Sequence, residues 1–554
     1  MIGLNEAYQG QTPAPDDPTS ALRIDLPQLV ERIFAPKGPL TQLLKLEHRP
    51  EQMQMAIASA QSFISNQSLL FEAGTGVGKS LAYLLPALVF AQESKRQAVV
   101  SSHTIALQEQ ILKKDLELCR ALFQKIPVLE PYQKFRTALL VGRGNYLCGT
   151  RLSQAIESRT ELFPTAEQGE LERIAEWSLQ TETGLHQELI PEPLSEVWDW
   201  VNADGSACNS RNCSPESCFF RRALHKVRSA HLVIVNHSLL FALLGGGHHP
   251  RNDLRGVLYP NDFVILDEAH RVPSIATEHF GERISSYGFN RLLNRLYRSK
   301  GRGKKARGLL LKAGNETERQ AVRNAKIAGD IFFQRIANDI LIKQEIVRCR
   351  ESNWTDPSII EPLKELQTRI SYRADQLEDG PLRDEFNGAK SLLGNYTTSI
   401  QNCIGLTDDE HVYWVEKTGR KRETITLRSA PIDVSAHLRE RLFTRKTGVV
   451  LTSATLASGQ SMESFQRQTG AEGCTTEQVT SPFDFKKNTR IFLATDAPEY
   501  NANDRKAACA YLVDMIRFCT LRVRGGSLVL FTSYADLRQC ATELTADFRK
   551  NGRP

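Results

Sequence analysis

The sequence predicts an α/β fold built on a mainly parallel sheet, and three observations lead there. Short apolar runs recur along the chain, helix-favouring stretches separate them, and a glycine-rich turn joins one run to the helical stretch after it. The runs are Leu69–Phe71, Ala98–Val100, Ala138–Val141, Leu232–Val235, Phe263–Leu266, Gly448–Leu451 and Ser527–Phe531. Runs this short, β-branched and uninterrupted suit strands buried on both faces, as in a parallel sheet covered by helices. A core helix can imitate any one of them, but not the whole series with helices interleaved.

At 554 residues the chain has room for three or four domains, on a prior of about 150 residues each. Its 70 basic and 64 acidic residues give a net charge of +6, which suits a patchy nucleic-acid surface and an ordinary enzyme equally. The first residues lack the basic start and apolar run of a secretory leader. No apolar stretch of about 18 residues is present, so no membrane span is expected and the chain reads as cytoplasmic. Eleven cysteines in such a chain are expected to stay reduced. Cys119, Cys349, Cys403, Cys474, Cys509, Cys519 and Cys540 lack ligand-like spacing and read as ordinary thiols.

Residues 1–37, rich in Pro, Asp, Thr and Gln, read as a tail that ends in a short helix from Leu26 to Ile33. The run Leu69–Phe71 then leads into Gly74-Thr75-Gly76-Val77-Gly78-Lys79-Ser80, and a helical pattern starts at Leu81. A strand-to-helix turn is the context a P-loop requires. Its glycines let backbone N–H groups converge on phosphate oxygens, and the helix N-terminus adds partial positive charge. Lys79 is expected to reach the β- and γ-phosphates of ATP, and the Ser80 hydroxyl to bind Mg²⁺. Ala73 stands where the simplest pattern has glycine. Phe263–Leu266 ends in Asp267 and Glu268, and two carboxylates closing a buried strand are costly without a purpose. Asp267 is expected to hold Mg²⁺ through water, and Glu268 to orient and deprotonate the attacking water.

Two stretches break the α/β rhythm. The first, residues 145–224, holds Cys148 and then Cys208, Cys213 and Cys218. The last three are five apart, about 140° around an α-helix. They therefore suit a loop wrapped around a metal centre, and Asn209, Asn212, Ser214 and Pro215 favour that loop. Four thiolates can hold a 4Fe-4S cluster or a zinc ion. Zinc sites more often show two close Cys-x-x-Cys pairs; plain burial without metal is the remaining reading. Around these cysteines Arg143, Tyr146, Arg151, Phe219, Phe220, Arg221 and Arg222 mix charge with aromatic faces. That mixture suits single-strand tracking, and equally a small packed domain. The second stretch, residues 272–427, is charged and helix-favouring, with Ile327, Ile331, Phe332, Ile336, Ile340 and Leu341 at helical spacing. It closes on an expected hairpin, His411–Glu416 with Arg422–Leu427. The basic run Arg298–Arg307 reads as a solvated loop, with a nucleic-acid contact as its alternative.

Taken in order, these motifs resemble the iron–sulfur DNA helicases of superfamily two, the DinG and XPD group, with the DinG type the nearer match. The resemblance runs from about Arg49 to the end. Arg49-Pro-Glu-Gln52 is similar to the adenine-recognition segment, with Gln52 at the base edge. Ser101-Ser-His-Thr104 with Leu107-Gln108-Glu-Gln110 is similar to a strand-tracking motif. Asp267-Glu268-Ala-His270 is the DEAH box, and Thr452-Ser453-Ala-Thr455 resembles the motif that couples ATP state to nucleic acid. Val235–Leu240 and Ser429–Val434 are similar to segments flanking the family's inserts, and Ser481–Asp484 and Gly525–Ser533 to the entry of the second motor lobe.

The resemblance implies RecA-like motor lobes and ATP-dependent 5′→3′ translocation on single-stranded DNA. It also implies unwinding of duplex, forked or R-loop DNA in repair or replication, and a 4Fe-4S cluster on Cys148, Cys208, Cys213 and Cys218. Thr104, Gln108 and Thr455 take the DNA-contact positions, and His270 and Ser453 the coupling positions. Protein partners are unknown. The implied division is a first motor lobe from 38–144, 225–271 and 428–480, a cluster domain at 145–224, an arch domain at 272–427, and the start of a second lobe at 481–554. No Gly-Arg-x-x-Arg segment, the arginine-bearing motif of the second lobe, follows Ser481. The expectation is therefore a truncated second lobe, and an alternative activity limited to binding ATP and single strands. An RNA-directed motor is the less favoured reading, because the cysteine insert resembles DNA enzymes.

Overall fold

The computed structural model describes residues 23–157, 159, 165–203, 216–244, 262–299, 306–418, 423–444, 447–499 and 505–553. Eleven strands follow in chain order: β1 (Leu69–Ala73), β2 (Ala98–Ser102), β3 (Thr137–Leu139), β4 (Leu232–Asn236), β5 (Phe263–Asp267), β6 (Arg283–Ser285), β7 (Ile346–Cys349), β8 (His411–Thr418), β9 (Thr424–Pro431), β10 (Val449–Ser453) and β11 (Thr475–Val479). Seven of them form one sheet in the order β11-β1-β10-β5-β2-β4-β3, and every pairing in it is parallel. Each of the first six apolar runs supplies one of these strands. β11 has the sequence TTEQV; as an edge strand it needs only one neighbour, so it carries no apolar signal.

Ser527–Phe531 is the correction. It forms no strand, and Leu528 and Leu530 are exposed. An apolar run becomes a strand only where a neighbour takes up its backbone donors and acceptors.

Helices cover both faces of the large sheet. The Lys79–Glu93 helix is apolar on all sides and buried from Leu81 to Ala91, between the sheet and the Pro50–Ser65 helix. Phe63, Phe90 and Phe263 meet there at centroid separations of 4.7 to 5.9 Å. The helix expected at the end of the N-terminal tail, Leu26–Phe34, buries Leu26, Leu29, Val30, Ile33 and Phe34 in that same core. The packed body therefore begins well before residue 38, because the apolar stripe of this helix needs the partner it finds there.

The remaining strands form an antiparallel sheet, β6-β9-β8-β7, which includes the expected hairpin β8–β9. Helices Glu316–Arg335, Ile360–Gln376 and Pro381–Gly405 pack with it around Phe289, Phe332, Leu363, Phe386 and Val415. Ile327 and Ile331 lie on the outer face of the first of these helices, contrary to the reading from spacing. Its buried face carries Ala321, Val322, Ala325, Phe332 and Phe333 instead. The cysteine-bearing insert has its own small core of Leu147, Leu152, Leu171, Ile174, Val197, Trp198 and Val201. Ion pairs tie the two inserts together: Glu385 receives Arg151 at 3.8 Å, and Asp199 receives Arg291 at 2.7 Å; Glu385 is also met by Arg295 of its own insert at 3.0 Å. Residues 483–554 form a separate unit, in which helices Lys506–Arg522 and Tyr534–Lys550 pack through Cys509, Val513, Ile516, Cys540 and Leu544.

Candidate active site

β1 is buried along its whole length, and the chain leaves its carboxyl end through residues 74–78. Gly76 and Gly78 hold φ of 89° and 85°, a region that side chains other than glycine enter only at a cost. A Cβ on Gly74 would stand 2.6 Å from the Ser481 nitrogen. The loop is braced from outside. Ser481 Oγ donates to the Thr75 carbonyl at 2.7 Å, the Gly74 N–H to Val479 at 3.2 Å, and Gln52 Nε2 to Gly78 at 2.9 Å. The Arg49 guanidinium donates to the Gly76 carbonyl. Gln52, expected at a base edge, thus spends its amide on the loop itself. Val77 is buried beneath the loop, and the helix begins at Lys79 with no side-chain cap. Its first N–H groups are therefore left for a ligand at the helix N-terminus.

The acidic side is built on β5, separated from β1 only by β10. Asp267 ends the strand, and Glu268 follows at φ 54°, ψ 44°, a left-handed conformation that costs a non-glycine residue about 1–3 kcal/mol and is found mainly at functional sites. That turn aims Glu268 at Lys79, whose Nζ is 3.7 Å from Oε1. Burial, then the neighbouring Glu268, pushes the Asp267 carboxyl up to about 6. A carboxyl held at that cost suits a cation, which would offset both causes. Glu268 Oε2 lies 3.3 Å from His270 Nδ1 and 3.5 Å from Ser453 Oγ, and His270 and Ser453 are themselves 2.8 Å apart. The predicted catalytic and coupling residues therefore form one connected group across β5 and β10.

Four residues of this neighbourhood escaped sequence reasoning. Tyr83, fully buried one helical turn after Lys79, donates to Asp267 Oδ2 at 3.1 Å; burial and that carboxylate raise its pKa. Asp115 approaches the Ser80 hydroxyl from the π-helical turn Ile111–Asp115, and such turns concentrate at functional sites. His237 is buried with Nδ1 2.7 Å from Ser101 Oγ, and burial pushes its pKa down to about 4. Glu72, on β1, binds the chain after β10. Only His237 falls within a quoted segment, Val235–Leu240, which carried no site role; for the others, only a place at the carboxyl edge of a strand, or on the adjoining helix, hinted at them.

The expected DNA contacts divide. Thr455 is exposed. Thr104 is exposed too, but its hydroxyl caps the Ile105–Gln110 helix by accepting from Leu107 N at 3.3 Å. Gln108 is fully buried, and its amide has no hydrogen-bond partner among the described residues. It lies on the inward face of that short helix, so in this conformation it is not a surface contact. Tyr146 and Phe220 stack edge to face at 5.5 Å and are buried, with Arg143 over Phe220 at 4.9 Å. Arg151 is taken up by Asn202, Asp199 and Glu385. These side chains pack the insert. Arg221 and Phe219 keep part of their surface open.

Cys208 and Cys213 lie outside the described residues. Cys148 and Cys218 are both buried and lie close enough for each to disfavour the other's charge. Burial raises the Cys148 thiol, so only a cation would hold this pair as thiolates. That fits a shared metal centre. Among the described residues no helix is long and apolar enough to cross a membrane.

A DEAD/DEAH box helicase family model matches residues 51–141. The chain is 27% identical to "ATP-dependent DNA helicase YoaA" of Haemophilus influenzae, over 94% of this chain and 76% of that protein. It is 28% identical to the Escherichia coli protein of the same name, over 93% of this chain and 76% of the other. A Bacillus subtilis protein named "3'-5' exonuclease DinG" is 25% identical, over 91% of this chain and 56% of that one. Among solved structures, an XPD helicase covers 90% of this chain and 74% of its own at 12% identity and a TM-score of 0.46. The motif-based resemblance stands: over most of its length the chain is similar to DinG and YoaA ATP-dependent DNA helicases.

Proposed function

We propose that this chain is an ATP-dependent DNA helicase of the DinG type, coupling ATP hydrolysis to 5′→3′ movement along single-stranded DNA and to the opening of duplex or R-loop DNA. The observation that carries the reading is the 3.7 Å approach of Lys79 to Glu268 beside a braced glycine loop. That approach supports reading Lys79 as a phosphate-binding cation beside Glu268 as the general base. Loop N–H groups and Lys79 would bind the β- and γ-phosphates, and Ser80 and Asp267 would hold Mg²⁺, which supplies charge neutralisation at the transferred phosphoryl group when bound. Glu268 takes the proton of the attacking water. Its contacts with His270 and Ser453 tie that step to the Ser453–Thr455 segment, whose exposed end is offered to the strand. Cys148, Cys208, Cys213 and Cys218 hold a 4Fe-4S cluster, which links folding of the insert to metal content. The chain works in the cytoplasm.

The test is hydrolysis and unwinding on DNA duplexes with 5′ or 3′ tails, and on RNA duplexes. Opening of 5′-tailed DNA supports the reading, preference for 3′ tails removes the assigned polarity, and preference for RNA removes the substrate class. Nucleotide and strand binding without hydrolysis would leave a binding protein, the alternative function. Lys79→Ala is expected to lose ATP affinity, whereas Glu268→Gln keeps affinity and loses turnover; equal loss of binding in both contradicts these roles. Iron and acid-labile sulfide in an anaerobic preparation test the cluster, and stoichiometric zinc without iron overturns it.

A further inference from the structure

Glu72 lies next to the phosphate loop but is no part of it. It sits on β1 two residues before Gly74, in register with Ser453 of β10 on one side and Gln478 of β11 on the other. Its carboxylate is buried, and the hydrogen bonds it accepts come from neighbouring chain segments. One oxygen accepts from the backbone N–H groups of Leu456 and Ala457, the latter at 2.6 Å; the other accepts from Gln478 Nε2 at 2.6 Å. Two backbone donors converging on a buried carboxylate form charge-assisted bonds, about twice as strong as neutral ones.

We infer that Glu72 is the positioning residue through which the phosphate loop sets the geometry of the Ser453–Ala457 segment. That segment is held at both ends. At its start, Ser453 contacts His270 and Glu268; at its end, Leu456 and Ala457 hang from Glu72. Thr455 lies exposed between the anchors. A shift of the loop on binding nucleotide moves Glu72 with its strand, and Glu72 carries the two amides along. The same carboxylate draws Gln478, and with it the chain that reaches Ser481 and the Thr75 carbonyl. The phosphate loop is thus mechanically joined to both chain segments beside it. The inference rests on the proposed ATP site, but not on helicase activity.

The experiment compares the unaltered chain with Glu72→Ala, Glu72→Gln and Gln478→Ala. Hydrogen exchange at the Leu456 and Ala457 amides is followed with and without magnesium AMP-PNP, alongside AMP-PNP affinity and single-strand stimulation of ATP hydrolysis. Glu72→Ala is expected to bind AMP-PNP as before, while its 456–457 amides stop responding to it and stimulation falls by about tenfold, the scale on which residues touching neither ligand alter coupling. Glu72→Gln keeps an acceptor for both amides once the Gln478 amide turns over, so it retains the response. If Glu72→Ala does not fold, Gln478→Ala, which frees only one carboxylate oxygen, is expected to reduce stimulation by about two- to threefold at unchanged affinity. A nucleotide response at Leu456 and Ala457 that is unchanged in Glu72→Ala, or strand stimulation that is unchanged in Gln478→Ala where that variant stands in, overturns the inference. So does a Glu72→Ala loss of response in proportion to lost affinity. An unaltered chain that shows the exchange response without strand stimulation removes the helicase reading and leaves the role of Glu72 standing.

Discussion

At the phosphate loop the groups prepared for a ligand are main-chain atoms; in the cysteine insert they are thiols. The loop is set by strands on either side of it, by positive φ at Gly76 and Gly78, and by braces from Gln52, Arg49 and Ser481. Its donors carry no proton that must be lost, so the site stands ready in the protein alone. Cys148 and Cys218 approach each other in a buried setting that favours neutral thiols. In the proposed cluster they would become ligands only as protons leave, which would couple metal binding to the folding of the insert. The contrast teaches that a site made of backbone is set by topology, whereas a site made of thiols depends on the charge brought to it.

The largest effect is expected on the motor side. Glu268→Gln should lower turnover by about 10²–10⁴-fold, the contribution of a positioned general base, with AMP-PNP affinity retained and iron content unchanged. Steady-state hydrolysis with a parallel iron assay checks it, and a coupled fall in iron would show that the two regions are not independent. Cys148→Ser reverses the test. Losing a direct ligand should cost the metal at least the about 10–100-fold typical of second-shell changes, while nucleotide affinity persists; iron analysis and AMP-PNP titration read both.

Acidity provides a third comparison. The Asp267 carboxyl, raised from 3.8 to about 6, binds a proton more tightly in the folded protein than in the unfolded chain. Its burial therefore costs nothing below both values and destabilises increasingly as pH rises to about 6. Mg²⁺ competes with that proton, so magnesium affinity should fall by about tenfold per pH unit below pH 6. Magnesium titrations of hydrolysis at pH 5 and 7 measure it, and equal affinities would mean that Asp267 is not the ligand. The smallest effect is expected at Thr104→Ala, where losing the helix cap costs about 1 kcal/mol. Thermal melting with single-strand titration separates that cost from a DNA contact, because a cap alone leaves affinity per folded molecule unchanged.

Each region was legible to a different depth. Six apolar runs became strands of the parallel sheet, because strands buried on both faces must be apolar throughout. The seventh, Ser527–Phe531, reads the same way, yet no described neighbour pairs with it. β11 was illegible for the opposite reason: polar and at an edge, it pairs with β1 on one side and shows no apolar run. That Lys79, Asp267 and Glu268 come together at one edge of the sheet follows from two local patterns, a glycine turn between strand and helix and a strand ending in carboxylates. Gln108 was misplaced because a motif position does not say which face of a short helix is buried.

By itself the sequence determined the parallel α/β body, the phosphate loop and the acidic strand end, because hydrophobic periodicity and glycine backbone freedom are local properties of the chain. Only the tertiary structure decided that Tyr83 reaches Asp267, that His237 meets Ser101, and that Glu72 holds Leu456 and Ala457. These contacts join residues as many as 385 positions apart, and nothing local specifies them. They exist because parallel crossovers bring the carboxyl ends of distant strands to one edge, where buried polar groups must find partners among whatever the topology has placed beside them.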